Sequence, residues 1–392
     1  MDEYSEAFIG IDTSKLRNAV AIAEAGRAGE VRYLGEIDTS DAATRKLVAK
    51  LATKYRKLTF CYEAGPTGYG LYRLIKSLGH DCIVVAPSLI PKKPGERVKT
   101  NRRDGIKLAK LLRAGELTAV WVPDARHEAI RDLSRARETA MVDLKRKRQQ
   151  ILSLLLRLGL YYPRKTTWGK SHRRWLADQK IAQREQRIVF EDALRAERFA
   201  DERAESLAQA VRDAVPEWSL APVVTALQAV RGIDLIAAVT VVAEVGDLSR
   251  FASARELMSY LGLVPTERST GDRVVRGGIT KTGSGRARRV LVEASWSYRH
   301  PPRVGRDKLA KVAAAPEPVR AIAWKAQTRL SARYRALRRN GKRPTVVVVA
   351  IARELAGFIW AIGRALDEAL PPGALHPAVL DTGPQGQALR AR

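Results

Sequence analysis

Three runs decide how the chain begins: AFIGID (residues 7–12), NAVAIAE (18–24) and VRYLGEI (31–37), separated only by short turns. Each is too short for a helix and rich in β-branched or small apolar residues, so the three read as consecutive strands of a meander. Beyond them, Ser40 to Tyr55 carries Leu47, Val48 and Leu51 at helical spacing. KLTFCYE (57–63) reads as a fourth strand, a helix is expected at about 67–78, DCIVVA (81–86) reads as a fifth strand, and another helix is expected at 101–114.

Three strands in series followed by alternating helix and strand is the element order of an RNase H-like (RuvC-like) α/β sheet. A strictly alternating doubly wound fold lacks the opening meander. From residue 124 the character changes. Ile130, Leu133, Ala136, Ala140, Leu144, Ile151 and Leu155 recur at steps of three, four or seven, as in a long helix or coiled coil. A break over 159–169, with Pro163, precedes a second helical stretch at 171–214. The pair is expected to form a helical hairpin that projects or dimerises. A mainly α-helical segment follows, with turns at Gly232, Gly246 and Gly262, a loop from Pro265 to Gly285, and helices at about 317–339 and 345–369. The expected domains are 1–123, 124–220, 221–369 and a disordered tail at 370–392, rich in Pro, Gly, Gln and Ala.

The chain has 392 residues, with 70 Lys+Arg against 42 Asp+Glu, a formal charge of +28. A surplus of that size calls for a polyanion, and nucleic acid is the commonest. The basic residues are spread along the chain and do not form one amphipathic face, which argues against a membrane surface. Cys61 and Cys82 lie in strand-like runs and the five histidines are scattered, so neither a disulfide framework nor a zinc site is expected. The cysteines read as reduced core thiols of a cytoplasmic protein. Residues 1–12 lack a signal-peptide pattern. The apolar run Val346–Ile362 is interrupted by Arg353 and Glu354 and falls short of the roughly 20 residues a membrane span needs.

Chemistry concentrates in two places. Asp12 ends the first strand within GIDTSK, and Glu63 ends the fourth within CYEAGPTG. In an RNase H-like sheet those strand ends are neighbours, where two carboxylates can share Mg²⁺ (or Mn²⁺) for phosphodiester cleavage. Asp104 opens the helix in VKTNRRDGIKLAKLL and can complete the cluster, or else offset the helix dipole. Asp12 is equally readable as a turn residue, and GIDTSK is also similar to the phosphate loop of actin-like sugar kinases.

The second place is the 265–285 loop. It sets Ser269 and Thr270 beside Gly271, followed by Arg273, Arg276, Lys281, Arg286, Arg288 and Arg289. A hydroxyl attacking a phosphodiester needs such cations around the phosphate oxygens. With no histidine nearby as a base, composition leaves a DNA-binding loop and a catalytic loop both open. Upstream, Arg231-Gly232-Ile233 stands between two helices like a phosphate-binding hairpin, though Asp234 stands where glycine is common. Lys15, Lys99, Arg102 and Arg103 near the acids, and Lys145, Arg146 and Arg148 within KRKR on the long helix, are further candidates for nucleic-acid contact; Lys147 completes that run, whose alternative is a solvated face. The seven tryptophans are spaced like core anchors, with base stacking an alternative for Trp168. His127 and His300 have no metal partners at ligand spacing and read as structural or surface residues.

GIDTSK, YEAGPTG and VKTNRRDGIKLAKLLRAGEL together resemble the DEDD-type insertion-sequence transposases guided by a bridge RNA, a family that includes the Piv-type DNA invertases. The resemblance covers roughly residues 7–125, and GLVP…STG…GGITKTG…R extends it over 223–300. It implies that Asp12, Glu63 and Asp104 are three of the four metal-binding acids, with Asn101 where the third acid usually stands. An amide oxygen can ligate Mg²⁺ but brings no charge. It implies a serine nucleophile that links covalently to DNA: Ser269, with Thr270 the alternative because family members also place the serine in that slot. Double-stranded DNA, a structured guide RNA and a homodimer or homotetramer are the partners implied. Two other readings remain: a metal-dependent endonuclease or Holliday-junction resolvase, in which Ser269 only touches DNA, and a non-enzymatic DNA- or RNA-binding protein.

Overall fold

The computed structural model describes residues 6–91, 100–270 and 273–370. The expected 370–392 tail, apart from Leu370, and Lys99 lie outside the described residues. The chain divides into two compact units, the first ending at Val122 and the second beginning at Pro123.

The first unit is built on a five-stranded sheet. In chain order its elements are β1 (Glu6–Asp12), β2 (Arg17–Glu24), β3 (Val31–Asp38), α1 (Asp41–Ala52), β4 (Lys57–Glu63), α2 (Gly70–Ser77), β5 (Asp81–Val85) and α3 (Asn101–Arg113). The strands lie in the order β3-β2-β1-β4-β5. The meander β1-β2-β3 is antiparallel, while β4 and β5 join parallel to β1. This mixed sheet with helices on both faces is consistent with the RNase H-like expectation. The one notable shift is at the expected 67–78 helix, which starts only at Gly70 after a turn with Gly68 at φ 69°.

Alternation along the strands sorts the two faces. Ile9, Ile11, Phe60, Tyr62 and Val84 face α1 and α2, meeting Leu47, Val48, Leu51 and Ile75. Cys61 and Val85 face α3, meeting Leu108 and Leu112. Both cysteines are buried free thiols, and burial pushes both well above the usual thiol range. Helix α3 comes unusually near the sheet because glycines meet there. A Cβ on Gly10 would lie 2.4 Å from the backbone of both Ala109 and Gly105.

The second unit runs α4 (Ala125–Arg157), α5 (Lys170–Ala177), α6 (Arg184–Ala214), α7 (Ala221–Leu227), α8 (Leu235–Val245), α9 (Ala254–Tyr260), β6 (Pro265–Thr270), β7 (Arg273–Ile279), α10 (Gly285–Ser295), α11 (Arg306–Ala313), α12 (Glu317–Arg339) and α13 (Pro344–Ala369). The expected second helical stretch is split into α5 and α6. Helices α4 and α6 pack on each other antiparallel, Ala140 and Leu144 against Ala200 and Ala204, and Ile151 and Leu154 near Phe190. Their near ends are not a separate spacer: Ile130 and Val211 belong to the same core as α8 and α13. His127 is buried there, its Nε2 2.9 Å from the Ala243 carbonyl.

Two expectations are corrected. The loop from Pro265 to Gly285 is largely an antiparallel hairpin, β6 pairing with β7. The apolar C-terminal run belongs to a 26-residue helix, long and apolar enough to span a membrane by those measures, so length alone does not exclude a span. Its buried face, from Val347 through Ile351, Leu355 and Ile359 to Ile362, instead lies in the core of this unit. Glu354, at the flank of that face toward α12, pairs with Arg329 and Arg333.

Candidate functional site

In the first unit the site grows from register. Gly10 pairs with Cys61 and Ile11 with Tyr62 on the parallel neighbour, so Asp12 and Glu63 are the next residues on adjoining strand ends. Both fall in the alternation class of Gly10 and Cys61, and therefore on the α3 face. The turns that leave the two strands touch, the Thr67 hydroxyl donating to Thr13 at 3.2 Å. Helix α3 presents its first turn here. Thr100 caps it, accepting from the Arg103 N–H at 3.3 Å, and the Asp104 N–H donates to the Thr100 carbonyl at 3.0 Å.

Asp104 precedes Gly105, whose Cα sits over the sheet so closely that a Cβ would lie 3.2 Å from the carbonyl of Ala19, the β2 residue paired with Asp12. The sequence-assigned acids are thus gathered at one end of the sheet. Asn101 is exposed one turn before Asp104. Arg102 stacks over the Tyr33 ring at 5.4 Å, and Lys15 and Arg103 are exposed. Among the described residues no three carboxylate, imidazole or thiolate groups stand close enough to hold a metal as they are. Two carboxylates on adjoining strand ends nevertheless suit Mg²⁺, which commonly takes one or two protein carboxylates and completes its shell with water and substrate phosphate.

In the second unit Ser269 is exposed on β6, and its hydroxyl donates to the Glu267 carboxylate at 2.9 Å. Glu267 also accepts from Arg276 across the hairpin at 3.2 Å. The Ser269 hydroxyl first, and then Arg276, hold Glu267 below the usual carboxylate range. Sequence reasoning looked for a histidine and missed this acceptor. The signal was there, because residues two apart on a strand share a face. By the same rule Thr270 faces the other way. At the hairpin's foot Lys281 adopts φ 59°, a left-handed conformation uncommon outside glycine. Its N–H donates to the Gly262 carbonyl at 3.1 Å.

Several expected nucleic-acid contacts are occupied within the protein. Arg286 pairs with Glu138, as does Arg289 at 2.7 Å. Arg288 donates to the carbonyls of Leu261 and Thr282 at 2.9 and 2.7 Å. Arg148 bridges buried Glu197 and Asp201 at 2.8 and 2.9 Å, so it fastens α4 to α6. Arg148 also lies 5.0 Å over the ring of Trp168, which packs in that helical cluster. Lys145, Arg146 and Arg273 remain exposed. The Arg231-Gly232-Ile233 turn is real, but its anion position is taken: Asp234 caps α8, accepting from the Ala237 N–H at 2.8 Å.

Comparison with known proteins gives the class first. Residues 9–159 match the profile of the DEDD-type IS110 transposase domain, and residues 224–308 match that of the IS116/IS110/IS902 transposase family. The chain is 57% identical over 362 residues to the transposase-related protein y4qE of Sinorhizobium fredii, covering 92% of this chain and 90% of that one. It is 29% identical over 346 residues to the transposase for insertion sequence element IS1533 of Leptospira borgpetersenii, covering 86% of this chain and 98% of the relative. A shorter match, 35% identical over 69 residues, reaches the transposase for IS1111A of Coxiella burnetii, 18% of this chain and 19% of that one. The chain belongs to the IS110 family of DEDD-type transposases, a class of enzymes that cut DNA and transfer its strands.

Proposed function

We propose that the protein cuts and rejoins DNA with Ser269 as its nucleophile, assisted by Mg²⁺ on Asp12, Glu63 and Asp104, and that a structured RNA selects the sites. The observation that carries the serine half is the Ser269–Glu267 hydrogen bond on an exposed hairpin. The Ser269 oxygen attacks phosphorus, forming one P–O bond as the bond to the leaving DNA oxygen breaks. The hydroxyl proton leaves along the existing hydrogen bond toward Glu267, and the leaving oxygen is protonated from solvent. Glu267 both aims the Ser269 oxygen and, as the acceptor already in place, draws its departing proton. Exposed Arg273 supplies positive charge near the attacked phosphate.

Asp12 and Glu63 would hold the metal, with Asp104 and the Asn101 amide at the neighbouring helix start. When bound, Mg²⁺ supplies a Lewis acid that polarises a phosphate oxygen. RNA guidance rests on the family resemblance, and the net charge of +28 is in keeping with more than one nucleic-acid partner. The reading is tested by incubating the full chain with element-end DNA and Mg²⁺ and looking for a covalent protein–DNA adduct on denaturing gels. The adduct should vanish in Ser269→Ala and persist in Thr270→Val. Cleavage by Ser269→Ala without any adduct in the parent would instead favour an endonuclease. Sequencing the nucleic acid that copurifies with the protein tests the RNA: recovery of no defined RNA species would sink that part.

A further inference from the structure

Away from the acids and the hairpin, the second unit holds a pocket of about 270 Å³ between the α7–α8 turn, the segment leading into α11, and α12. Arg231, Arg303, Lys308 and Arg320 line it, together with Trp324 and Gln327, and none of its lining residues is acidic. Arg231 and Lys308 are built into the wall. Arg231 donates to the Pro301 carbonyl at 2.7 Å and to the Gln327 side chain at 3.2 Å. Lys308 donates to the carbonyls of Gln228, Val230 and Ile233, closing the end of α7. Burial draws the Lys308 ammonium down to about 8, which leaves it charged at neutral pH.

Arg303 and Arg320 are different. Both are exposed, and neither makes an ion pair among the described residues. The Arg303 charge also bears on Arg231, so the wall gathers like charges, and the Asp234 carboxylate that bears on Lys308 lies outside the pocket lining. Such a gathering repels itself unless an anion completes it. Beside them Trp324 is 52% exposed, where a core anchor was expected. An exposed indole next to unpaired guanidiniums is the pairing that grips a phosphate and stacks the adjoining base. A duplex offers no free base face to such a ring, because its bases are already stacked.

We propose that this pocket binds single-stranded nucleic acid, one phosphate held by Arg303 and Arg320 and the adjoining unpaired base stacked on Trp324. The site is separate from the serine hairpin, and it stands whether or not Ser269 is the nucleophile. The test is fluorescence anisotropy of the full chain with labelled 20-nucleotide oligo(dT), oligo(U) and a blunt duplex, each titrated at several salt concentrations. Trp324→Ala should weaken single-strand binding about fivefold or more and leave the duplex unaffected, with Trp324→Phe recovering most of the loss. Arg303→Ala should lower the salt slope for single strands by about 0.7. A loss confined to oligo(dT) would identify DNA as the occupant, and one confined to oligo(U) would identify RNA. Trp324→Ala that melts like the parent and binds single strands undiminished overturns the proposal. So does an equal loss on single strands and duplex, which would mean general basic attraction. Arg303→Glu gives a second check at an exposed position, expected to weaken the same ligands selectively.

Discussion

Ser269 and Glu267 stand two residues apart on one face of a strand, the serine hydroxyl donating to the carboxylate at 2.9 Å. A hydroxyl so held has its oxygen lone pairs turned outward. Glu267→Gln keeps an acceptor at the same place but removes the charge that attracts the departing proton. Single-turnover strand cleavage should fall about 100-fold, the lower end of what a positioned acid–base group contributes. Because Glu267 is held below its ordinary value of 4.5, it stays ionised throughout the neutral range. The parent's rate should therefore lose no Glu267-dependent component until the pH drops below that value, and the Gln variant should lack that acid limb. Equal rates for parent and variant at pH 7.5 would remove Glu267 from the reaction.

The adjacency of Asp12 and Glu63 makes a metal prediction that needs no turnover. Mn²⁺ binding, followed by titration calorimetry or by electron paramagnetic resonance of the free ion, should weaken at least tenfold in Asp12→Asn or Glu63→Gln. Asn101→Asp adds a charge one helical turn before Asp104 and should tighten it, since each added carboxylate strengthens a hard-cation site. Mn²⁺ affinity unmoved by all three substitutions would place the metal elsewhere.

The first unit was legible almost strand by strand because its signal is local. Short apolar runs with turns between them allow one reading, and β1, β2, β4 and β5 begin and end within a residue of expectation. What sequence could not show was which cations are already taken. Arg286 and Arg289 meet Glu138 across about 150 positions of chain, and Arg148 meets Glu197 from another helix. A run of arginines looks the same whether it awaits a phosphate or closes a helix interface. The hairpin was read as a loop because RVVRGGI carries two glycines and both strands are solvent-exposed, so no buried alternation marks it. Trp324 failed for the opposite reason: composition assigns tryptophan to cores, and only the packing of α12 shows this one facing out.

The contact of Gly10 with Gly105 sets how near α3 lies to the end of the sheet that carries Asp12 and Glu63. Gly10→Ala would place a methyl group 2.4 Å from backbone atoms on a helix that cannot yield locally. Overpacking of this kind costs about 1–3 kcal/mol, readable as a lowered urea midpoint. Gly105→Ala meets its nearest atom at 3.2 Å and should cost less. In both, Mn²⁺ affinity should fall with stability, because α3 carries Asp104. Full Mn²⁺ affinity in a destabilised Gly10→Ala protein would separate α3 from the metal site.

Glu244 on α8 ties three elements together. It accepts from Arg135 of α4 at 2.7 and 3.0 Å and from Ser284, the cap of α10, at 2.9 Å. Its side chain is only 6% exposed, and burial alone would raise its pKa. The bonds and charge of Arg135, then Ser284 and Arg286, outweigh burial and bring it below the ordinary 4.5. A carboxyl whose folded pKa is depressed binds its proton less readily than in the unfolded chain. Its contribution is therefore complete above about pH 4.5 and lost as the pH falls through the lower folded value. Glu244→Gln should cost about 1–3 kcal/mol at pH 7, moderated because Arg135 remains partly hydrated. Other carboxylates titrate in the same range, so the quantity to follow is the difference between parent and variant in urea unfolding. That difference should stay level from pH 8 to pH 6 and shrink below pH 4.5. A difference that grows on acidification would mean that burial, and not Arg135, governs Glu244.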